Sequence, residues 1–185
     1  MRLFAAIELP RSIRDALAEA ARPLKAACPE ASWVRTENLH VTLKFLGEVP
    51  GSQLSDVCDA LKRVSVIGPA RVHIDGLELF PRRGPVRVIA LGLTGVLEPI
   101  HHIFQHIDRT TAEIGFPSEN RPFVPHITLA RARRTIQGSA RKTLPELLKW
   151  SGGAPAFEVT SFSLIESKLK PGGPEYIRLA NFPAK

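Results

Sequence analysis

The sequence contains one short phrase twice, and this repetition constrains the fold more than any other feature. The phrase is His-x-Thr-Leu, and it occurs at residues 40–43 and again at 126–129. A shuffled chain of the same composition would contain about 0.03 copies of it. Two copies therefore indicate two related segments rather than a coincidence.

Both copies lie in stretches that predict β-strands. Residues 39–46 and 123–130 are rich in β-branched and apolar side chains and are bounded by turn-forming residues. Side chains alternate between the two faces of a strand, so His40 shares a face with Thr42, and His126 shares one with Thr128. The same rule puts Lys44 on the His40 face. A single pair of this kind is also typical of the wet side of a half-buried sheet, but its repetition favours a functional role.

The order of predicted elements repeats as well. After an opening strand at 2–9, each half contains a helix, a motif strand, a further helix and two strands. The predicted segments are 11–27, 39–46, a helix from 52 that ends before 68, 71–79 and 86–93, then 96–114, 123–130, a short helix near 144–150, 156–165 and 175–179. We therefore predict one domain over 1–185 that arose by duplication, with pseudo-repeats at 11–94 and 96–180.

Composition limits the class of protein. The chain of 185 residues has a formal charge of +7 and a pI near 9.9, which favours a polyanionic partner such as RNA or a nucleotide, although excess arginine can also serve solubility. We expect a soluble, cytoplasmic protein without a membrane segment, because no apolar run reaches 18 residues and the N-terminus starts directly with a strand pattern. Cys28 and Cys58 are isolated and indicate neither a disulfide framework nor a zinc site.

Two related halves that pack about an approximate two-fold axis would bring both motif faces to one cleft. Two imidazoles and two hydroxyls would then converge, and this set suits the opening of a phosphodiester. The reaction needs a base for water, an acid for the leaving oxygen and donors for the charged phosphate oxygens. Histidine can fill the first two roles near neutral pH.

A metal or a cofactor is not expected. His102 and His106 have the i, i+4 spacing of metal ligands, but a His-Glu-x-x-His arrangement and a third ligand are absent, so exposed helix residues are favoured. The sequence also lacks a Gly-x-Gly-x-x-Gly motif, a Walker loop and a nucleophile elbow. This argues against nucleotide cofactors, NTP hydrolysis and Ser-His-Asp hydrolysis.

At the two motifs the chain resembles the 2H phosphoesterases, and within them the RNA 2′,3′-cyclic phosphodiesterases, also called 2′-5′ RNA ligase-like or ThpR/LigT proteins. The resemblance covers nearly the whole chain. It rests on the opening RLFAAIELP, on NLHVTLKFLGE after Trp33, on FVPHITLAR and on the C-terminal SFSLIESKLKPGGPEYIRL.

The resemblance implies a bilobal α+β fold with two antiparallel sheets around a central cleft and helices on the outside. It implies metal-independent hydrolysis of a 2′,3′-cyclic phosphate on RNA ends or ribonucleotides to a 2′-phosphomonoester. By position, His40 would be the general acid and His126 the general base, and Thr42 and Thr128 would hold the phosphate oxygens. The reverse reaction, 2′-5′ RNA ligation, is a possible minor activity.

Further contacts are predicted with less support from the pattern. The resemblance makes Arg131 a phosphate contact, but strict alternation puts it opposite His126, so a bulge or the strand's end must re-aim it. Phe123 is a candidate for stacking on a base, and Lys44, Arg133 and Arg134 are candidates for RNA contacts. Phe45 is expected to pack in the core.

Two alternatives to this function stay open. One is the same chemistry on another cyclic phosphate, such as an ADP-ribose derivative. The other is an RNA-binding module without catalysis, whose histidines only bind phosphate. In each case we expect a monomer.

Overall fold

The computed structural model describes residues 1–65, 70–136, 138–148, 150 and 153–183, except for the side chains of 133–135, 139 and 140. Strands and helices alternate along the chain. The strands are β1 (Arg2–Glu8), β2 (Ser32–Trp33), β3 (His40–Glu48), β4 (Ala70–Phe80), β5 (Val86–Gly95), β6 (His126–Ile136), β7 (Ala156–Val159), β8 (Ser161–Lys170) and β9 (Gly173–Pro183). The helices are α1 (Arg11–Ala20), α2 (Arg22–Ala27), α3 (Leu54–Lys62), α4 (Glu98–Ala112) and α5 (Gly138–Thr143). This is the predicted α+β fold.

The strands form one curled antiparallel sheet in the order β7-β4-β5-β6-β3-β1-β8-β9, and β2 pairs with β6. The two motif strands β3 and β6 are neighbours at its centre, where Val41 pairs with Ile127. The two antiparallel sheets that were predicted are joined at this junction into one. We call them the His40 lobe (β1, β3, β8 and β9) and the His126 lobe (β2, β4, β5, β6 and β7).

The lobes do not coincide with the two halves of the sequence. The hairpin β4–β5 comes from the first half of the chain but pairs with β6 in the His126 lobe. The hairpin β8–β9 comes from the second half and pairs with β1 in the His40 lobe. Helix α4 packs against β3, again across the halves. The two halves of the sequence are therefore intertwined. Each half contributes strands to both lobes, and thus to both sides of the cleft between the motifs. The pseudo-repeat bounds at 11–94 and 96–180 remain a prediction.

Strand β1 shows why the sequence forms this sheet. Its residues 3–7 are an unbroken apolar run, and all five are buried because β1 lies between β3 and β8 and is covered on both faces. Leu3, Ala5 and Ile7 belong to the main core. Phe4 and Ala6 point to the other face, where they pack with Ile165 and Tyr176 beneath the cleft.

Several elements differ from the prediction for physical reasons. Helix 11–27 is interrupted at Ala21, and α2 restarts with Pro23 in its first turn, where its missing N–H is harmless. The strand expected at 123–130 begins at His126 and continues to Ile136, because β5 pairs with it as far as Val86. The strand expected at 156–165 splits at Thr160, since β7 pairs with β4 and β8 with β1. The helix expected near 144–150 is a 3₁₀ turn at Leu144–Leu147.

Among the described residues, no helix is both long and apolar enough to span a membrane.

The pairing of Val41 with Ile127 predicts a large cost for truncation there. Both side chains are fully buried at the junction of the lobes. Ile127→Ala should lower the free energy of unfolding by about 2–5 kcal/mol, because it removes buried methyl groups and leaves a cavity. Leu169→Ala is the control, since that side chain is 73% exposed; it should change the value by less than about 0.5 kcal/mol. Urea denaturation measures both, and equal effects would contradict the central role of the junction.

Candidate active site

The register at the centre of the sheet brings the two motifs together. Val41 and Ile127 pair in antiparallel fashion and point into the core. Their neighbours in sequence therefore point to the opposite face, with His40 across from Thr128 and Thr42 across from His126. The two imidazoles then lie on a diagonal, and diagonal cross-strand neighbours are roughly 7–8 Å apart. The predicted convergence of two histidines and two threonines is a consequence of this register.

A bulge follows each His-x-Thr in the structure. On β3, Ala6 pairs with Thr42 while Ala5 pairs with Lys44, which leaves Leu43 as an extra residue. On β6 the pairing of β5 skips Leu129 in the same way. Each bulge inverts the alternation beyond it, so two consecutive residues are buried and the next one faces the cleft.

The bulge on β6 turns the side chain of Arg131 towards the face of His126, as the sequence analysis required. Leu129 and Ala130 are both buried, and Arg131 is exposed and lines the same cavity as His126. Arg131 therefore reaches the motif face although it is five residues from the histidine.

The bulge on β3 overturns two expectations. Lys44 does not share the His40 face: its side chain is 4% exposed and forms an ion pair with Asp108, although it lines the same cavity as His126. Its contact with RNA stays a prediction. Phe45 does not pack in the core but is 59% exposed and lines the cleft. Simple alternation failed here because the extra residue Leu43 moves Lys44 inward and Phe45 outward. Phe45 thus occupies, relative to His40, the position that Arg131 occupies relative to His126.

His40 is held by two hydrogen bonds. Its Nδ1 lies 2.7 Å from the carbonyl oxygen of Asn38, and its Nε2 lies 2.9 Å from Oγ1 of Thr42. A carbonyl oxygen only accepts, so Nδ1 carries a proton. In the neutral ring Nε2 then accepts the hydroxyl proton of Thr42. Phe4 and Tyr176 pack against the ring, with centroids 5.0 and 5.5 Å away.

His126 is oriented in the same way. Its Nδ1 donates to the carbonyl oxygen of Val124 over 2.8 Å, two residues before it in the chain. Phe80 packs against the ring at 4.9 Å between centroids. In both histidines Nδ1 is therefore bonded to the backbone, and Nε2 is the nitrogen that faces the motif threonine or the cavity. In the described part of the chain, Nε2 of His126 has no hydrogen-bond partner, unlike that of His40.

The pKa of His40 is set mainly by burial of its ring. Burial lowers the pKa of His40 below the usual value of 6.5. The hydrogen bond to Asn38 and the carboxylate of Glu8 raise this pKa again, while His126 lowers it further. The ring of His40 is consequently neutral in the free protein near pH 7.

The motif residues divide between two adjoining cavities. A cavity of about 340 Å³ is lined by Thr42, His126, Thr128 and Arg131, together with Phe45 and Phe123. His40 lines a neighbouring cavity of about 240 Å³ with Glu8, Asn38, Tyr176 and Arg178. Thr42 bridges the two, since its hydroxyl reaches His40 from the wall of the first cavity.

The remaining residues that were predicted to contact the substrate lie in different places. Phe123 lines the larger cavity, and one of its faces stacks on Phe104 at 4.2 Å between centroids. Arg133 and Arg134 belong to β6, but their side chains lie outside the described residues. Phe4, Tyr176 and Phe80, three rings that pack on the histidines from other elements, were not predicted from the sequence. No signal near the motifs marks them, because long-range pairing alone brings them there.

The histidine pair on α4 lies outside these cavities. His102 and His106 pack against each other, with ring centroids 4.0 Å apart, and both are half-buried rather than exposed as expected. Burial lowers the pKa of His106, and His102 and Arg109 add to this effect. Within the described residues, no group of three or more potential metal ligands occurs.

Comparison with known proteins agrees with this architecture. A family model described as LigT-like phosphoesterase matches the chain twice, at residues 7–90 and 93–176. The RNA 2′,3′-cyclic phosphodiesterase of Methanocaldococcus jannaschii is 32% identical over 95% of this chain and 96% of that protein. The enzyme of the same name from Thermus thermophilus is 34% identical over 98% of this chain and 89% of that protein.

Solved structures show the same fold. The crystal structure of TT0787 of Thermus thermophilus has a TM-score of 0.82 and 30% identity, and the match covers 99% of this chain and 97% of that one. E. coli LigT in complex with 3′-AMP has a TM-score of 0.77 and 28% identity, with the same coverage.

Removal of the Tyr176 ring should raise the pKa of His40. Tyr176→Ala opens the buried side of the imidazole to water, and burial is the main cause of the lowered pKa. Tyr176→Phe keeps the ring and should leave the pKa of His40 near its wild-type value. An NMR titration of the imidazole C–H signals of His40 measures both variants. A pKa of His40 that stayed constant or fell in Tyr176→Ala would refute this account.

Proposed function

Since the chain belongs to the LigT-like phosphoesterase family, we propose that it is an RNA 2′,3′-cyclic phosphodiesterase that uses His40 and His126 as acid and base. The substrate is a 2′,3′-cyclic phosphate on an RNA end or a ribonucleotide, and the product is a 2′-phosphomonoester. Relatives that match nearly the full chain carry this activity in their names. A relative of the same fold was crystallised with 3′-AMP, which supports a nucleotide in the cleft.

The observation that carries this proposal is the common orientation of the two imidazoles. Each Nδ1 donates to a backbone carbonyl two residues earlier, at Asn38 for His40 and at Val124 for His126. Each Nε2 is thereby left as the reactive nitrogen, with its lone pair available when the ring is neutral. Two such nitrogens from opposite sides of one junction suit in-line attack and departure at a single phosphorus.

In the proposed reaction, Nε2 of His126 takes a proton from water as the water oxygen bonds to phosphorus. The bond from phosphorus to O3′ breaks, and Nε2–H of His40 protonates that oxygen. The phosphate stays on O2′. Each proton transfer of this kind contributes about 10²–10⁴-fold to the rate. If the 5′-hydroxyl of a second RNA took the place of water, the same steps would form a bond from its oxygen to phosphorus, break the bond to O3′ and leave a 2′-5′ phosphodiester, which we propose as a minor ligation activity.

Thr42 couples the charge on His40 to phosphate binding. When His40 is neutral, Nε2 takes the hydroxyl proton of Thr42. When His40 is protonated, Nε2–H donates to Oγ1, and the threonine proton is free for a phosphate oxygen. A bound cyclic phosphate is an anion and opposes the lowering of the His40 pKa by burial. Substrate binding would therefore favour the protonated acid and the donating hydroxyl together.

Phosphate and base would bind to different residues of the larger cavity. Thr128 and Arg131 line the cavity beside His126 and could donate to the non-bridging oxygens. Phe45 stands at the equivalent position after His40 and offers an exposed ring, and Phe123 offers a second one. Aromatic rings stack on bases of any sequence. The difference between Phe45 and Arg131 would thus orient the nucleotide in an otherwise symmetric cleft.

If the protein were instead an RNA-binding module, the same residues would bind phosphate without catalysis. It would then bind RNA in a salt-dependent way and form no product. The shape of the cavity does not by itself separate an RNA end from another small cyclic phosphate, such as an ADP-ribose derivative. A substrate panel that includes 2′,3′-cyclic nucleotides, oligonucleotides with cyclic ends and ADP-ribose 1″,2″-cyclic phosphate decides between these.

The two-histidine mechanism predicts turnover of 2′,3′-cyclic AMP and of cyclic-ended oligonucleotides in the presence of EDTA. His40→Ala and His126→Ala should each lower kcat by at least about 10²-fold, because one proton transfer loses its catalyst. Chromatography that resolves 2′-AMP from 3′-AMP identifies the product, and circular dichroism verifies the fold. Loss of activity in EDTA that added metal restores, or a near wild-type rate in either variant, would refute the mechanism.

The roles of Phe45 and Arg131 predict opposite kinetic signatures. Phe45→Ala should mainly raise KM, since a base stacked on a ring contributes about 1–3 kcal/mol. Arg131→Met should mainly lower kcat, by about 10²–10³-fold, if its charge acts on the phosphate as the transition state forms. Val96→Ala, which changes another exposed apolar side chain, is the control and should alter neither constant. The same change in KM and kcat for both variants would show that the two residues are not specialised in this way.

A further inference from the structure

A buried ion pair, one member of which lines the larger cavity, has no part in the mechanism above. Nζ of Lys44 lies 2.7 Å from Oδ1 of Asp108, and the two side chains are only 4% and 17% exposed. Lys44 is on β3, two residues after Thr42, and Asp108 is on α4. A buried ion pair contributes little net stability compared with apolar side chains of similar size. We therefore looked for a role of the Lys44–Asp108 pair other than stabilising the fold.

The same carboxylate also holds the loop between α4 and β6. Oδ1 of Asp108 accepts a hydrogen bond from the backbone N–H of Glu119 over 3.0 Å. Burial alone would raise the pKa of Asp108, but the bonds from Lys44, Glu119 and Ser118 outweigh it and lower the pKa. Asp108 is thus a charged acceptor that joins strand β3 to residues 118–119.

This loop leads directly into the second motif. Its residues Arg121 and Phe123 line the larger cavity, and the carbonyl of Val124 accepts the Nδ1 proton of His126. From Glu119, which Asp108 binds, only a few residues lead to Val124, and they contain no helix or strand. A shift of the loop would therefore move the group that sets the tautomer and the orientation of His126.

We propose that Lys44 and Asp108 are positioning residues, which fix the loop 116–125 to strand β3 so that the carbonyl of Val124 orients His126 relative to His40. The proposal rests on the proposed function and deepens it. It also explains why the first motif continues with lysine at the buried position where the second has Ala130: the cation is needed on only one side, where a loop must be anchored.

A double variant separates positioning from stability. Lys44→Met/Asp108→Leu replaces the pair with apolar side chains and leaves no buried charge alone, so the thermal midpoint should stay close to the wild-type value or rise. The loop loses its acceptor, and kcat on 2′,3′-cyclic AMP should fall about 10–100-fold, as expected for a misplaced catalytic group. Asp108→Asn keeps an acceptor oxygen for Glu119 and should lose less activity than the double variant.

The tautomer of His126 gives a readout that does not depend on turnover. In the wild-type protein, long-range ¹H–¹⁵N correlations should show the proton on Nδ1 of both histidines at a pH where the rings are neutral. In the double variant, the Nε2–H form of His126 should appear, and His40 should stay unchanged because Asn38 does not contact the pair. Glu113→Gln is the matched control: it removes the exposed ion pair of α4 with Arg63 and should leave both kcat and the tautomer unchanged.

A wild-type kcat and an unchanged His126 tautomer in the double variant would overturn the proposal. A lower thermal midpoint with an unchanged kcat below that midpoint would overturn it too, because the pair would then be structural only. If the wild-type protein opened no cyclic phosphate but the tautomer of His126 still changed in the double variant alone, the proposed function would fail while the positioning role would hold.

Discussion

The structure depends on a single antiparallel contact, the pairing of Val41 with Ile127. Each residue is the middle one of a His-x-Thr, so their pairing aligns the two motifs about a common centre. If this register slipped by one residue, one motif would turn its histidine and threonine into the core. The burial of both side chains and the exchange of hairpins between the lobes oppose such a slip. The fold thus specifies the geometry of the site at the point where it is most tightly packed.

The sequence predicted the parts of the site that follow from local rules. Alternation placed His40 with Thr42 and His126 with Thr128, and the position of Arg131 required a bulge that the structure contains at Leu129. The matching bulge at Leu43 was not foreseen, although equivalence of the two motifs could have suggested it. Lys44 and Phe45 were misplaced for that reason alone. One extra residue in a strand inverts every face beyond it, and no side chain in the phrase Leu43-Lys44 signals the insertion.

Other features were out of reach because they depend on partners far away in the chain. Tyr176 lies on β9 and Phe80 on β4. They reach the histidines only because β9 pairs with β8 and β8 with β1, and because β4 pairs with β5 and β5 with β6. The division of 156–170 into β7 and β8 follows from their pairing with different lobes, which composition does not encode. Helices α1 and α4 were predicted because their apolar stripes are local patterns, although the first helix breaks at Ala21 and restarts as α2.

The symmetry of the motifs and the asymmetry around them have different consequences. Symmetry supplies two imidazoles with the same tautomer, each fixed by a carbonyl two residues before it. The proposed reaction needs one protonated and one neutral ring, and the motifs themselves do not distinguish the two. Their surroundings do differ: Tyr176 and Phe4 bury His40, and Thr42 binds its Nε2. His126 is instead oriented by a loop in which Glu119 is bonded to Asp108 of the ion pair with Lys44. Burial favours a neutral His40 in the free protein, so in the proposed mechanism it is the bound phosphate anion that makes His40 the acid. A duplicated fold can therefore give two identical phrases different environments.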